Sequence, residues 1–331
     1  MKITTPEQLG KVVGGYRIAR IIQTAVKLRI FDYIRAGKPA DAKTVALKAG
    51  FSYRGTDILL DALTALGLTT KTGNEYENSS LAEQYLVSNT TSMQIFSIDH
   101  AEHIYRRWAY LPESVHDGLP HNPEDNSVIK DAESNRVFIR AMHARGLERG
   151  RKMASAIDLS NVRRVADIGG GAGSYLIAFA EKIPEMEGVL FDLDLTLQTA
   201  RDIIHEHDAN LNFQLQECDI FAENTSFGND FDLVLLSNII HIVGPPENIR
   251  LFKHIKDAMN SRGRLIIQDF LLDDTATEPA DAAFFAVNML TGTETGRAWR
   301  ETDVRDWLRE AGFSSVERID ANTDSDVLIA R

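Results

Sequence analysis

The sequence predicts an α/β chain in which a doubly wound, parallel sheet follows a smaller, mostly α-helical N-terminal domain. Three observations predict it. From about residue 162, short apolar runs alternate with helical patterns, the sign of strands joined by crossover helices. One of those runs leads into a glycine-rich turn, Asp167-Ile168-Gly169-Gly170-Gly171-Ala172-Gly173, and then into a second helical pattern. Before residue 90 the order is helix, turn, helix, hairpin, the pattern of a winged helix.

Taken in order, residues 7–36 read as one or two helices, because Ile18, Ile21, Ile22, Ala25, Leu28, Ile30 and Phe31 recur at three and four with no proline inside. Asp41 is placed to cap a helix over Ala42 to Ala49, and Ser52 or Thr56 a further one that Gly67 ends. Leu68-Thr69-Thr70 and Glu75-Tyr76-Glu77 form a hairpin around Thr72-Gly73-Asn74. Residues 92–118 and 130–156 read as helices, separated by a polar loop from Asp117 to Asp125. Strands follow at Arg164–Ile168, Gly188–Asp192, Asn212–Glu217, Phe231–Ser237 and Arg264–Gln268, with a last pair near Ser315–Ile319 and Val327–Ala330. The expected division is 1–90, 91–157 and 158–331, which suits a chain of 331 residues.

Composition narrows the function. Hydrophobic content of 44% and charged content of 25% are those of an ordinary globular protein. No run approaches the length of a membrane span and the first residues lack a signal peptide's apolar core. A single cysteine, Cys218, excludes a disulfide framework and a cysteine-rich metal site, and fits a reducing cytoplasm. The net charge of −12 argues against nucleic acid as a partner. Residues 1–87 are mildly basic, with 12 Lys and Arg against 8 Asp and Glu. Even so, the second helix of the winged-helix pattern, with Ile58-Leu59-Leu60-Ala62-Leu63-Leu66, is too apolar for a recognition helix. That domain is expected to make dimer contacts instead.

The glycine turn invites a nucleoside ligand, since side chains are absent where the backbone must approach it and the following helix offers unpaired N–H groups. Asp192, 21 positions beyond Gly171, stands where a second strand sets a carboxylate on ribose hydroxyls. A dinucleotide fingerprint needs glycine at its first, third and sixth positions; counted from Gly169 the sixth is Ser174, and counted from Gly171 it is Leu176. Asp167, just ahead of the turn, would repel a pyrophosphate and suits a cationic ligand. S-adenosylmethionine carries both an ammonium and a sulfonium. At the end of the third strand, Asp219 is placed to accept from an adenine amino group, with Ile220 and Phe221 against the ring. After the fourth strand, Ser237-Asn238-Ile239-Ile240-His241 brings an imidazole to the ligand end of the sheet, suited to removing a hydroxyl proton.

These motifs, with the tail Trp307-Leu308-Arg309-Glu310-Ala311-Gly312-Phe313, resemble the class I S-adenosylmethionine-dependent methyltransferases. The resemblance is to the small-molecule O-methyltransferases with an N-terminal dimerisation domain, the group of the plant caffeate and animal hydroxyindole enzymes, and it covers nearly the whole chain. It implies a Rossmann-like methyltransferase sheet and a cytoplasmic homodimer. The implied reaction is methyl transfer to a small, aromatic, hydroxylated acceptor, with S-adenosylhomocysteine as product. It implies His241 as general base, Asp269 as the carboxylate behind it, and cofactor contacts from Asp167, Gly169, Gly171, Asp192, Asp219, Ile220, Phe221 and Ser237. Phe138, Met142, Phe285, Asn288 and Met289 lie in segments that line the acceptor pocket in that family. No metal is implied.

The resemblance departs at two places. Plant relatives carry a second acidic partner in a Gly-x-Glu-Arg-Thr segment, and an ungapped count puts Ala298 there. Their His-Asp-Trp run is His241-Ile242-Val243 here. Glu294 or Glu301 supplies the charge, or one carboxylate suffices. Relatives that keep the cofactor site but hydroxylate or decarboxylate, and a non-catalytic small-molecule sensor, are the alternative readings.

Overall fold

The computed structural model describes residues 2–36, 39–88, 94–121, 131–208 and 211–331, so residues 122–125 of the expected polar loop lie outside the described residues. The chain divides into two compact units, Met1–His103 and Ile104–Arg331.

The N-terminal unit opens with three helices, not one or two: Pro6–Gly14, Tyr16–Lys27 and Ile30–Ala36. The chain bends at Gly15 and again at Arg29, whose φ of 54° lies in the left-handed region, where a helix cannot continue. Asp41 caps the helix Ala42–Ala49 by accepting from the Thr44 N–H at 2.7 Å. Ser52, not Thr56, caps Tyr53–Ala65. The hairpin is present and gains a third strand, in the order β1 (Ala40–Asp41), β3 (Glu75–Asn78), β2 (Thr69–Thr72). Phe31, Ile34, Leu60, Leu63 and Tyr76 form the core. The first two helices leave an apolar row uncovered, with Leu9, Val13, Tyr16 and Ile18 each more than half exposed. On the helix Tyr53–Ala65 the exposed face shows Tyr53, Arg54, Ile58 and Asp61.

The larger unit holds a seven-stranded sheet. Its strands are β4 (Arg164–Ile168), β5 (Glu187–Asp192), β6 (Phe213–Glu217), β7 (Phe231–Ser237), β8 (Met259–Asp269), β9 (Val316–Ile319) and β10 (Asp326–Ala330), in the order β6-β5-β4-β7-β8-β10-β9. Strands β4 to β8 run parallel and β10 is antiparallel to both neighbours. The chain order reverses between β4 and β7, so the crevice at their carboxyl ends is where such sheets take ligands. Past Arg164, strand β4 is buried residue by residue and apolar except for Asp167, because it is covered on both faces.

The helix Ser174–Ala180 after the glycine turn is buried along its whole length. The 25-residue helix Ala132–Ala156 lies against it. Gly146 and Gly150 permit that closeness: a Cβ on Gly150 would stand 2.9 Å from Ala178 Cβ and 3.2 Å from Tyr175 Cα. The expected helical stretch 92–118 is two helices, Gln94–Trp108 and Leu111–Asp117, with Pro112 in the first turn of the second, where proline is tolerated. Among the described residues no helix is long and apolar enough to cross a membrane.

Candidate active site

The glycine turn is built by positive φ at Gly169 (65°), Gly171 (59°) and Gly173 (70°), a run that side chains would strain. It is also a close fit. A Cβ on Gly170 would meet the Asp167 carboxyl at 2.3 to 2.6 Å, and one on Gly169 would meet Ile239 Cδ1 at 2.4 Å. Among the described residues only Ile139 comes within 4 Å of where a Cβ on Gly171 would stand, at 3.8 Å, so the turn is open there. The Gly169 N–H donates to Phe191 O at 2.8 Å, which ties the turn to β5. At the end of β5, Asp192 Oδ2 accepts from the Gly171 N–H at 2.9 Å and Oδ1 from the Leu193 N–H at 2.8 Å.

Asp167 is fully buried, and among the described residues neither carboxyl oxygen has a hydrogen-bond partner. It fills the space that a side chain at position 170 would need. Burial, with the nearby Asp192 charge second, pushes its pKa up to about 8. Burial also raises Asp192, against the two N–H bonds that lower it. Among the described residues no cation is bonded to either carboxyl, so the turn offers nothing to neutralise a pyrophosphate, whereas a cationic ligand would draw Asp167 toward its ionised form.

At the end of β6, Asp219 is exposed and Oδ1 accepts from the Phe221 N–H at 3.0 Å. That bond holds the turn in which Ile220 is buried and Phe221 half-buried; Ile220 Cδ1 lies 3.2 Å from where a Cβ on Gly169 would be. Ser237 ends β7, and its Oγ accepts from Asn238 Nδ2 at 2.9 Å. Asn238 has φ of 59°, so the chain turns sharply there and delivers His241.

His241 is 8% exposed and Asp269, at the end of β8, 1%. Their side chains meet at 2.7 Å, Nδ1 to Oδ1. The same Asp269 oxygen accepts from the Phe270 N–H at 2.8 Å. The Phe285 ring stands edge-on to the imidazole, 4.7 Å between centroids, and meets Phe270 at 4.4 Å. With Nδ1 engaged by the carboxylate, Nε2 is the nitrogen left for a reacting group.

The turn around His241 is held by groups that sequence reasoning did not single out. Asn248 Nδ2, fully buried, donates to the carbonyls of Ile240 (2.8 Å), Val243 (3.2 Å) and Gly244 (3.2 Å). The Trp299 indole N–H donates to Ile240 O at 2.9 Å. Gly296 packs on the His241 backbone so tightly that a Cβ would stand 2.2 Å from its carbonyl oxygen. A further network links Tyr175, Gln268 and Ser325: the Tyr175 hydroxyl donates to Gln268 Oε1, and Gln268 Nε2 donates to Ser325 Oγ at 2.6 Å. Its signal was a buried-strand glutamine directly after the apolar run Leu265-Ile266-Ile267 of β8. Asn248 carried none, since an asparagine in a first helical turn is common.

Ala298 is fully buried in a small cluster with Leu272 and Ala282, against which Phe270 and Phe285 pack. Neither glutamate proposed as a substitute is bonded to His241. Glu294 is exposed. Glu301 takes Arg305 at 2.7 Å and Arg318 at 2.6 Å. Asp269 is therefore the carboxylate that His241 has among the described residues.

Of the expected acceptor residues, Phe285, Asn288 and Met289 share the helix Ala280–Leu290. Phe285 touches the imidazole, and Asn288 Oδ1 accepts from the Trp108 indole at 3.1 Å. Phe138 and Met142 are half-buried on the helix Ala132–Ala156, and Phe138 packs on the core cluster that includes Tyr175 and Leu176. Among the described residues no group of three or more His, Cys, Asp or Glu side chains is placed to hold a metal.

A doubly wound sheet with polar groups gathered at the carboxyl ends of five parallel strands defines a nucleoside-cofactor enzyme. Residues 110–314 match the O-methyltransferase domain family, and residues 11–88 match the O-methyltransferase dimerisation domain. The chain is 30% identical over 318 residues to the 3-hydroxy-5-methyl-1-naphthoate 3-O-methyltransferase of Streptomyces sahachiroi, covering 95% of this chain and 91% of that one. It superposes on an O-methyltransferase family protein from Burkholderia thailandensis with a TM-score of 0.89 at 25% identity, covering 100% and 98% of the two chains. The fold is also that of human N-acetylserotonin methyltransferase in complex with S-adenosylmethionine, with a TM-score of 0.83, 24% identity and coverage of 100% and 98%. The chain belongs to the O-methyltransferase family, and it is an S-adenosylmethionine-dependent enzyme.

Proposed function

We propose that this enzyme methylates a hydroxyl of a small aromatic acceptor, with His241 as general base, and works in the cytoplasm as a homodimer. The observation that carries the reading is the buried His241–Asp269 pair at 2.7 Å, at the carboxyl ends of the two strands that follow β4 in the sheet. The relative from Streptomyces sahachiroi, which acts on a hydroxynaphthoate, supports the aromatic, hydroxylated class.

The cofactor site fits S-adenosylmethionine on this chain's own features: an open glycine turn at Gly171, the carboxyl groups of Asp167 and Asp192 about it, and, among the described residues, no basic side chain bonded to either. Gly169, Gly171 and Asp192 would hold the amino-acid and ribose parts, and Asp219, Ile220, Phe221 and Ser237 the adenine side. When bound, the cofactor supplies an electrophilic methyl group on a sulfonium.

His241 Nε2 takes the acceptor's hydroxyl proton while Nδ1–H stays on Asp269, whose charge stabilises the imidazolium that results. Phe285 and Phe270 keep water from the imidazole and offer an aromatic wall to the acceptor. Phe138, Met142, Asn288 and Met289 complete that pocket in this reading. Burial of Ala298 among Phe270 and Phe285 leaves the base with one carboxylate. The exposed apolar row Leu9, Val13, Tyr16, Ile18 on residues 1–90 is the surface that a second copy would cover.

His241→Ala is expected to lower kcat by roughly 10²–10⁴-fold while S-adenosylmethionine binds with unchanged affinity by calorimetry. Unchanged turnover would remove the histidine from the mechanism.

A further inference from the structure

Arg107 lies in the last turn of the helix Gln94–Trp108. Cations at such places usually reach into solvent near the helix's free carbonyls. This one is folded over the backbone just past the helix Ala280–Leu290. A Cβ on Gly292 would stand 2.3 Å from Nη1 and 3.1 Å from Cζ, so the absence of a side chain at 292 is what admits the guanidinium. The adjacent Trp108 to Asn288 bond, 3.1 Å, pins the two segments together. Burial holds Arg107 below its ordinary range and no carboxylate acts against that. Among the described residues it has neither an ion pair nor a side-chain hydrogen bond. The side chain is half-buried, so the fold positions the guanidinium over Gly292 without answering its donors among the described residues, and they stay open to a ligand.

The helix that Arg107 overhangs is the one that reaches His241. Phe285, Met289 and Gly292 recur at four and three, on one side of that helix, and Phe285 meets the imidazole edge-on. At 1.5 Å per residue the row from Phe285 to Gly292 spans about 10 Å, the order of length of a fused aromatic acceptor. One end of the row thus has a base and the other an unanswered cation.

We infer that Arg107 recognises an anionic group on the acceptor, at the end away from the hydroxyl that His241 deprotonates, and that the acceptor is an aromatic hydroxy acid bearing a carboxylate. Planar, forked donors match a carboxylate with two parallel hydrogen bonds, and the ligand would bring the partner that the folded chain lacks. The inference rests on the acceptor site being the one proposed above.

The test is equilibrium binding, read by acceptor fluorescence on enzyme loaded with S-adenosylhomocysteine. The probes are a naphthoic acid with its hydroxyl at the opposite end of the ring system, and the naphthol that lacks the carboxylate. The wild type is expected to bind the acid at least about tenfold tighter than the naphthol. Arg107→Met should abolish that preference, leave naphthol affinity within about twofold, and unfold at a temperature no lower than the wild type. Gly292→Ala, which displaces the guanidinium without removing it, should weaken the acid selectively. Equal affinity of the wild type for both probes would overturn the inference, as would equal weakening of both by Arg107→Met. Turnover in His241→Ala is read separately: if it persists while Arg107→Met loses the preference, the anion site stands and the base assignment falls.

Discussion

Replacing Asp167 by asparagine isolates one buried proton. The folded chain buries this carboxyl with no hydrogen-bond partner among the described residues, and burial pushes its pKa up to about 8 from an ordinary 3.8. Across that window the folded state binds a proton that the unfolded state has released, so stability falls as pH rises, at about 1.4 kcal/mol per pH unit for one full proton. Between about pH 5 and about pH 7 the loss attributable to this group is roughly 3 kcal/mol. Asparagine keeps the shape and cannot ionise, so Asp167→Asn should gain on the wild type by about that amount over the same interval. Asp192 and the other titrating side chains are common to both proteins, and the difference between them isolates position 167. Urea unfolding at the two pH values, with m checked for constancy, measures it. A difference that is the same at both pH values would refute the reasoning, because Asp167 would then hold no extra proton. A difference that moves the other way would mean that donors hold the carboxylate ionised, as they do for an ordinary buried acid with a depressed pKa.

Two further outcomes follow from the proposal that His241 is the base. Asp269→Asn keeps an oxygen for the His241 Nδ1–H but removes the charge behind the imidazolium; kcat should fall by roughly 10²–10³-fold with S-adenosylmethionine affinity and acceptor KM little changed, and an equal rise in KM would point to a misplaced pocket instead. Asn248→Ala strips three carbonyls of one buried amide, at 2.8, 3.2 and 3.2 Å; chemical unfolding should show a loss of about 2–3 kcal/mol, together with lower turnover because the His241 turn loosens. A stability loss below about 0.5 kcal/mol would show that water replaces the amide at no cost.

Most of the larger unit was legible because each of its signals is local. A strand buried on both faces needs an apolar run, as in Val189-Leu190-Phe191 of β5 and Leu233-Val234-Leu235-Leu236 of β7, while β4 breaks its run with Asp167. A turn that needs three positive φ angles needs glycine at 169, 171 and 173. The positions of Asp192, Asp219, His241 and Asp269 at strand ends follow from the strand limits alone. The breaks in the N-terminal helices were less visible. Arg29 adopts a left-handed φ that its residue type does not announce, and the apolar row runs across the break. The edge strand Ala40–Asp41 is too short to leave a pattern and exists only because Tyr76 and Glu75 are there to pair with it.

The sequence by itself determined the alternation of strand and helix, the glycine turn, and the acidic residues that suit a cationic nucleoside, since periodicity and spacing are properties of the chain. Only the tertiary structure decided how the side chains are used. Distances between remote segments set whether His241 meets Asp269, whether Glu301 is claimed by Arg305 and Arg318, and whether Ala298 fills an apolar niche. They also set whether Asp167 is buried beneath Gly170 and whether the Arg107 side chain lies over Gly292. Charge and acidity depend on burial and on neighbours within a few ångströms, and residues far apart in the chain become neighbours only when the sheet is wound.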